Sequence, residues 1–474
     1  MESSRRLERI HTPFDAIIPT VDEPSAKFYL DAMRIYLALS SGTLSIEDAK
    51  QAVEELKENP EFSRSPTNPT LLPIGESYRS KLLDNLKTLR KFNLVTTDSL
   101  RSAYSFAFMV QETPIQSSDL RVLSYFADHP FSTLVKAAEN LNIAPKTVSR
   151  SLERLGDRNG LRFHCFLNQV AFNLQNIMVF FIPRDDSEWD VIERALYSFP
   201  FTKTLLKTSM TDLGYISIVL PSTSECSRVF YESIKALSTT VFDYVSIHPQ
   251  IGTGAASNIS LYREGKWAFP DEFASLIYEN GVKDPDNLPI LWSTEYTSDL
   301  TKTDFFIGAE MKLDVRASPS KISEGLRYRG IEVDSRKVAQ SMKKLQNRDL
   351  LLPYVSFAGT GLSANFCFEI VCEDEWKTRL VAAIGKIPTS VYYLSSRGII
   401  IWIQVPSYHQ VDYYKILRTL EEEPGVKSVQ PIMTIKQVGS RTILDLVKNL
   451  TYGRRGWSGN PLEFDLAAHV AYRI

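Results

Sequence analysis

The segment IAPKTVSRSLERLGDRNGLRF, from Ile143 to Phe163, combines basic, hydroxyl and apolar residues at helical spacing. Pro145 suits the first turn of a helix, where its missing N–H leaves no hydrogen bond unmade. Val148, Leu152 and Leu155 then share one apolar face. The opposite face carries residue types that contact DNA, because arginine recognises guanine edges while lysine, serine and threonine contact phosphates.

This spacing predicts a DNA-binding helix that follows two supporting helices and precedes a β wing. The DNA-binding residues predicted in this segment are Lys146, Thr147, Ser149, Arg150, Arg154, Arg158 and Arg162. A second segment, VDSRKVAQSMKKLQNRD, repeats the pattern and predicts four more: Arg336, Lys337, Gln340 and Lys344. A solvated basic face is the simpler interpretation of one such helix. Two of them in a chain of net charge −2 favour double-stranded DNA as the partner.

The chain of 474 residues contains an internal repeat. Residues 169–252 and 360–437 each show the pattern of a strand, a helix, two strands, a helix and a closing strand. Three pairs of residues align the copies at offsets of 187, 184 and 185: Trp189 with Trp376, Gly214 with Gly398 and Pro221 with Pro406. The β-α-β-β-α-β order predicts a ferredoxin-like domain in each copy.

The predicted fold class is α+β, with tandem winged helix-turn-helix domains, each followed by a ferredoxin-like βαββαβ domain, and a helical N-terminal region. The winged helices are predicted at 116–168 and 303–359, and the ferredoxin-like domains at 169–252 and 360–437. The remaining parts are an N-terminal region at 1–115, a linker at 253–302 and a C-terminal tail at 438–474. The N-terminal region is either a degenerate winged helix or a plain helical docking domain.

The run LVKAAENLNIAPKTVSRSLERL, followed by a predicted wing and α/β unit, resembles the Lrp/AsnC family of transcription regulators. The shared pattern is L-x-x-x-A-x-x-L, then P-x-T-V-S-R, then L-x-x-L. The resemblance covers residues 117–249 and, more loosely, 303–437. It implies a sequence-specific DNA-binding regulator whose α/β domains pair and respond to a small-molecule effector. Family members carry one copy of each domain, whereas this chain carries two.

The resemblance also implies an effector site at the turn between the second and third strands of the α/β domain. The matching residues in the first copy are Thr211, Asp212 and Gly214. Gly214 and Tyr215 are followed by Ile216, which departs from the Gly-x-Tyr-Asp pattern that the family favours. The second copy has SSRGIII at the same place.

Common motifs of enzymes and metal sites are missing from the sequence. The six histidines are never at HxxxH or HxH spacing, and there is no Walker A, GxSxG or calcium-loop motif. The sequence therefore predicts no enzyme, no catalytic residue, no metal and no cofactor. Two alternatives stay open. One is an enzyme that resembles siroheme decarboxylases, which have a similar architecture, and the other is a winged-helix scaffold that binds proteins of the transcription apparatus.

The four cysteines form no CxxC pair, and no apolar run approaches the ~20 residues of a membrane span. With an N-terminus that lacks an apolar signal core, these features predict a cytoplasmic protein without a membrane partner. Each predicted sheet is apolar on both faces, and its helices can cover only one. We therefore expect the two α/β domains to pair as an intramolecular pseudo-dimer, with further association of whole chains left open.

Overall fold

The computed structural model describes residues 6–63, 76–91, 95, 97–108, 115–184, 189–208, 213–279, 288–432 and 435–473. It divides into two compact units. The first unit comprises residues 1–163, 355–363 and 438–440, and the second comprises 164–354, 364–437 and 441–474. Helices and antiparallel sheets occur together, which confirms the α+β class.

The first unit is helical. Its N-terminal part holds α1 (Pro24–Ser40), α2 (Ile46–Lys57), α3 (Glu76–Lys91) and α4 (Thr97–Phe108). Three more helices follow: α5 (Ser117–Asp128), α6 (Leu134–Leu141) and α7 (Pro145–Asn159).

A buried polar network holds part of the N-terminal helices together. The Tyr29 hydroxyl donates to Glu61 Oε1 at 2.7 Å, and Arg101 Nε donates to the Tyr29 oxygen at 2.9 Å. Arg101 also forms an ion pair with Glu61, whose side chain is fully buried. A buried carboxylate is tolerated here because it is both paired and hydrogen-bonded.

Strand β1 (Arg162–Leu167) precedes the first α/β copy. This copy consists of β2 (Leu174–Pro183), α8 (Trp189–Ser198), β3 (Thr202–Thr208), β4 (Gly214–Pro221), α9 (Ser224–Thr240) and β5 (Phe242–Ser257). A connecting region holds β6 (Tyr262–Arg263), β7 (Lys266–Trp267), α10 (Phe273–Tyr278) and β8 (Leu291–Trp292).

A second helical module comes next, with α11 (Lys302–Met311), α12 (Pro319–Tyr328), α13 (Ser335–Asn347) and β9 (Leu351–Ser356). The second α/β copy consists of β10 (Ala364–Cys372), α14 (Asp374–Ile384), β11 (Thr389–Ser395), β12 (Gly398–Val405), α15 (Gln410–Thr419) and β13 (Val426–Ile432). The C-terminal part contains β14 (Ile435–Ser440), α16 (Ile443–Leu446), β15 (Thr451–Gly453), β16 (Gly456–Ser458) and α17 (Leu466–Ala471).

Both α/β copies have the same strand order. The first is arranged β5-β2-β4-β3 and the second β13-β10-β12-β11, which is the order 4-1-3-2 in each copy's own sequence. The paired strands within each copy are antiparallel. The two arrangements join through β5, whose first half pairs with β2 and whose residues 250–257 pair with β11.

Strand β5 extends beyond residue 253, where the sequence predicted that a linker begins. Its glycines permit this, because a Cβ on Gly254 would lie 2.3 Å from the Pro289 carbonyl oxygen and 2.4 Å from the Tyr392 hydroxyl. The run GTGAASN has the composition of a linker. It forms a strand because β11 supplies the hydrogen-bonding edge.

The two α/β copies also share an apolar cluster. Phe180 and Tyr215 of the first copy pack with Cys367 and Ile400 of the second, and all four are buried. The rings of Tyr215 and Trp402 meet edge to face with centroids 5.4 Å apart. Apolar residues from the two copies therefore exclude water together, which is the physical reason for expecting the α/β domains to pair.

Candidate nucleic-acid interface

The first helical module, α5 to α7, encloses a small apolar core. Val122, Phe126, Ala137, Ala138 and Val148 are buried together in one cluster. They come from all three helices, so that the core determines which side of α7 faces inward. The spacing of apolar residues along α7 predicts this orientation.

Local sequence signals set the start of α7. The preceding helix ends at Asn142, which has a φ of 52° in the left-handed region that asparagine tolerates. Pro145 occupies the first turn of α7, as predicted. The polar residues that follow the proline therefore lie at the N-terminal end of the helix.

Four predicted DNA-binding residues of the first module are exposed: Lys146, Thr147, Arg150 and Arg158. Ser149 is half-buried, and its hydroxyl donates to Glu153 Oε1 at 3.1 Å. Arg162 lies at the start of β1, where its guanidinium donates to the Leu161 carbonyl oxygen at 2.9 Å. The exposed residues nearest the N-terminus of α7 form a hydroxyl-bearing basic surface, defined here as Lys146, Thr147 and Arg150.

The sequence analysis expected Arg154 to face outward toward DNA, but its partly exposed side chain is engaged by another helix. Its guanidinium forms a two-pronged ion pair with Asp119 of α5, with Nε at 3.0 Å from Oδ2, and it also donates to Ser151 Oγ at 3.1 Å. Asp119 is buried, so it requires a charged partner. Arg154 therefore ties α7 to α5, and the helical spacing alone could not reveal its partner on another helix.

The second helical module repeats this arrangement with different residues. Arg336, Lys337 and Gln340 of α13 are exposed, as expected for contacts with DNA. Lys344, also predicted to face outward, instead donates to Asp304 Oδ2 of α11 at 2.9 Å. Ser341 Oγ donates to the other oxygen of Asp304 at 2.5 Å. We call each set of aspartate, serine and basic residue an interhelical clamp.

The clamp lowers the pKa of its aspartate. Burial of Asp304 opposes ionisation, but hydrogen bonds from Ser341, Lys344 and Thr301 outweigh burial, so the pKa lies below its ordinary value. An aspartate with a lowered native pKa stabilises the fold above its unfolded pKa of ~4. This contribution disappears as the pH falls through the native pKa.

We expect Asp304→Asn to lower the free energy of unfolding by about 1–2 kcal/mol at pH 7, because it removes charge-assisted hydrogen bonds. All six tryptophans lie in the second unit, so tryptophan fluorescence during urea unfolding reports on it. The difference from the unsubstituted chain should shrink as the pH is lowered below ~4. Asp243→Asn, at an exposed ion pair with Arg184 elsewhere in the second unit, is the matched control and should change little. Equal effects of the two substitutions would contradict the clamp.

The two predicted wings have a different structure from the one expected. The runs LRFHCFLN and LLPYVSFAG were each expected to form a hairpin, but each contributes a single strand, and β1 pairs with β9. Within the second unit, the rings of Phe166 and Tyr354 stack with centroids 4.8 Å apart. The strand in each run thus pairs with the strand in the other run, far away in the sequence, instead of with a second strand of its own hairpin.

The predicted effector residues contribute little to a site in the structure. Thr211 and Asp212 lie outside the described residues. Gly214 begins β4 and has a packing role, because a Cβ there would lie 2.5 Å from Phe181 Cζ and 2.7 Å from Trp189 Cη2. The aligned glycine therefore reflects close contact with aromatic rings.

Sequence reasoning missed a buried polar network between the α/β copies. His248 and Glu369 are fully buried, and His248 Nε2 lies 2.7 Å from Glu369 Oε1. His248 Nδ1 lies 2.8 Å from Ser395 Oγ, and the Tyr244 hydroxyl donates to Glu369 Oε2 at 3.1 Å. The sequence contained one indication of this network: Glu369 is the single acidic residue in the apolar strand NFCFEIVC, and a carboxyl group buried there needs a polar partner.

Two lysines of the second unit were also missed. Lys203 lies on β3, and Lys312 directly follows α11. Burial, with the nearby positive charge of Lys312, lowers the pKa of Lys203 to about 7. The carbonyl oxygen of Lys312 lies 3.1 Å from His164 Nδ1. A lysine that is partly neutral near pH 7 can accept a proton or act as a nucleophile.

Within the described part of the chain, no group of three or more His, Cys, Asp or Glu side chains is arranged to hold a metal ion. The described helices include none that is long and apolar enough to cross a membrane.

Comparison with known proteins found no matching family model and no matching curated protein. Among solved structures, the chain is similar to the siroheme decarboxylase NirDL, at 9% identity and a TM-score of 0.39, over 75% of this chain and 99% of NirDL. NirDL was also solved with an iron-uroporphyrin III analogue. The transcriptional regulator NMB0573 from Neisseria meningitidis, in complex with L-Met, is similar at 14% identity and a TM-score of 0.22, over 29% of this chain and 89% of the regulator.

The sequence analysis predicted that the chain is not an enzyme. That exclusion is wrong, because the structures similar to this chain include an enzyme, NirDL. The exclusion relied on missing short motifs, and an active site assembled from separate strands and helices need not contain one. A regulator and an enzyme thus both occur among the similar structures.

Proposed function

We propose that this chain is a sequence-specific DNA-binding transcription regulator. The observation that carries the proposal is the exposed surface of Lys146, Thr147 and Arg150 at the N-terminal end of α7. It lies on the third helix of a three-helix module, where helix-turn-helix proteins contact the major groove. The chain's net charge of −2 means that attraction to DNA depends on such local basic surfaces.

The proposal includes a tandem architecture of two winged helix-turn-helix modules, each followed by a ferredoxin-like domain. Two observations support it. Both α/β copies have the strand order 4-1-3-2, and both helical modules contain the interhelical clamp. The exposed residues of the second module, Arg336, Lys337 and Gln340, differ from those of the first. A tandem regulator of this kind would recognise two unlike half-sites, and its operator would be asymmetric.

The test begins with selection of a binding site from random double-stranded DNA, using the full chain. Arg150→Ala should then weaken binding to the selected site by about 1–3 kcal/mol, because arginine makes two hydrogen bonds to guanine. Binding to scrambled DNA should change less. Lys50→Ala, which removes a charge from an exposed position on α2, is the control and should bind like the unsubstituted chain. If no site is enriched, or if Arg150→Ala binds with full affinity, the proposal fails.

Lys146→Ala should show the behaviour of a phosphate contact. We expect it to weaken binding to all sequences similarly and to reduce the slope of log affinity against log salt by about 1, because one fewer counterion is released. Gel shifts from low to physiological salt measure this slope. An unchanged slope in Lys146→Ala would mean that Lys146 makes no phosphate contact. If the affinity of the unsubstituted chain did not depend on salt, the protein-scaffold alternative would be favoured.

A second candidate function is enzymatic, and the observation that favours it is Lys203. Its pKa of about 7 and the adjacent charge of Lys312 suit an anionic substrate whose reaction needs a proton transfer. NirDL is named a siroheme decarboxylase, and the substrate of a decarboxylase must carry a carboxylate. In this candidate, Lys312 would bind a substrate carboxylate. As the bond to another carboxylate breaks and CO2 leaves, protonated Lys203 would donate a proton to the carbon left behind and would regain one from solvent.

Incubation with siroheme under anaerobic conditions tests the second candidate. Stepwise loss of carboxylate groups, detected by mass spectrometry, would support it, and Lys203→Met should abolish that loss. Lys235→Met, at an exposed position on α9, is the matched control. No change in siroheme with the unsubstituted chain would leave DNA binding as the sole proposal.

A further inference from the structure

The C-terminal hairpin of β15 and β16 carries two adjacent arginines at its tip. Gly453 pairs with Gly456 across the hairpin. The turn between them consists of Arg454 and Arg455, and both are exposed. Among the residues that the structure describes, no hydrogen bond or ion pair involves either guanidinium group. Two positive charges are therefore available to an anion outside the chain.

Backbone contacts fix the position of this tip. Gly456 has a φ of 79°, which suits the last residue of a short hairpin loop, and a Cβ there would lie 2.5 Å from the Phe172 carbonyl oxygen. The Tyr296 hydroxyl donates to the Arg454 carbonyl oxygen at 2.6 Å. A tip that is already held in place loses less freedom when its side chains bind a partner.

The hairpin packs against α11, the first helix of the second helical module. The Trp457 ring is buried, and its centroid lies 5.2 Å from that of Phe305. The Tyr452 hydroxyl donates to the Leu300 carbonyl oxygen, just before α11, at 2.8 Å. Lys302 of α11 is exposed, and its Nζ lies 5.6 Å from the centre of the Trp457 ring. A third positive charge is thus located beside the hairpin.

Helix α11 connects the hairpin to α13, which carries the predicted DNA-binding residues of this module. The interhelical clamp joins Asp304 of α11 to Ser341 and Lys344 of α13. By the helical rise, Lys344 is about 10 Å from Lys337 along the axis of α13. Residues 303–359 are all described and form no hairpin of their own, because their strand β9 pairs with β1. The C-terminal hairpin therefore gives the second module a basic hairpin that its own segment lacks.

We propose that Arg454 and Arg455 contact DNA phosphates that flank the base pairs contacted by α13. This inference rests on the proposed function and extends it to a third basic surface. Duplex DNA carries a phosphate charge for every ~1.7 Å of its axis, so a basic tip displaced by about 10 Å or more from Lys337 meets other phosphates. Guanidinium groups bind phosphate oxygens through paired N–H donors. These contacts add affinity without reading sequence.

The first test replaces both arginines in the full chain, as Arg454→Ala with Arg455→Ala. We expect the slope of log affinity against log salt to fall by about 2, on selected and scrambled duplexes alike, because two fewer counterions are released. Arg194→Ala with Arg263→Ala removes two exposed arginines elsewhere in the second unit and is the matched control. Circular dichroism verifies that each variant is folded.

The second test distinguishes flanking phosphates from a general effect of charge. The selected duplex is trimmed from each end in turn, and trimming one flank should weaken binding of the unsubstituted chain but not of the double alanine variant. Arg454→Lys with Arg455→Lys keeps both charges and should keep most of the salt slope, whereas loss of the slope would overturn the phosphate assignment.

The outcomes separate this inference from the proposed function. If the double alanine variant has the slope of the control, or loses as much affinity on trimming as the unsubstituted chain does, the hairpin does not contact DNA, although DNA binding by the chain stands. If the unsubstituted chain binds no duplex, both proposals fail.

Discussion

Glu369→Leu is expected to lower the free energy of unfolding of the second unit by about 3–5 kcal/mol, since it removes the carboxyl group from a buried, hydrogen-bonded histidine–glutamate pair. Glu369 and His248 are both fully buried, with Nε2 and Oε1 2.7 Å apart. The substitution would leave His248 Nε2 without its carboxylate and would remove the acceptor of the Tyr244 hydroxyl. The remaining polar groups would stay buried, and their lost hydration is the main cost.

The double substitution His248→Leu with Glu369→Leu separates this cost from the value of the pair. We expect it to recover most of the lost stability, because replacing both partners of a buried polar pair by apolar residues is often nearly neutral. Urea unfolding followed by tryptophan fluorescence measures both variants in the second unit. Glu324→Leu, at an exposed position on α12, is the control and should stay within about 0.5 kcal/mol. If Glu369→Leu lowered the free energy of unfolding no more than Glu324→Leu does, the buried network would not be important for stability.

Gly398→Ala is expected to destabilise the second unit by about 3 kcal/mol or more. A Cβ at this position would lie 2.0 Å from the Ile370 carbonyl oxygen and 3.0 Å from the Cys372 nitrogen. Both atoms belong to the backbone of β10, which pairs with β12, so neither can move without disturbing the sheet. The added methyl group would therefore force the strands apart.

The aligned glycine of the first copy provides a graded comparison. At Gly214 the obstructing atoms belong to the side chains of Phe181 and Trp189, which can rotate, so Gly214→Ala should cost less, about 1–3 kcal/mol. Gly453→Ala, which has open space around its Cβ, should be nearly neutral. Urea unfolding of the three variants, monitored by tryptophan fluorescence, ranks them by their free energies of unfolding. If Gly398→Ala were as stable as Gly453→Ala, the close contact in β10 would be refuted.

Local patterns in the sequence were sufficient to predict the elements that carry the candidate interface. Pro145 and the apolar spacing of Val148 and Leu155 predicted both the start of α7 and its buried face. Helical periodicity and proline placement act over a few residues, so a short stretch of sequence contains the whole signal.

Partners that lie far apart in the sequence were not predictable in this way. Arg154 and Lys344 share the basic face of their helices with the exposed residues, and only the buried aspartates Asp119 and Asp304 on other helices distinguish them. A charge on a helix has the same sequence signature whether it meets solvent, DNA or a carboxylate. The choice depends on which helix packs beside it, and that is a property of the tertiary structure.

The sequence by itself determined the order of helices and strands in the two α/β copies, because alternation and amphipathic spacing are local properties of the chain. The tertiary structure alone decided how those strands are connected: β1 pairs with β9, and β5 continues past its expected end to pair with β11. Strand pairing satisfies backbone hydrogen bonds that every residue except proline can make. Side-chain identity therefore says little about the partner, and packing of the whole fold selects it.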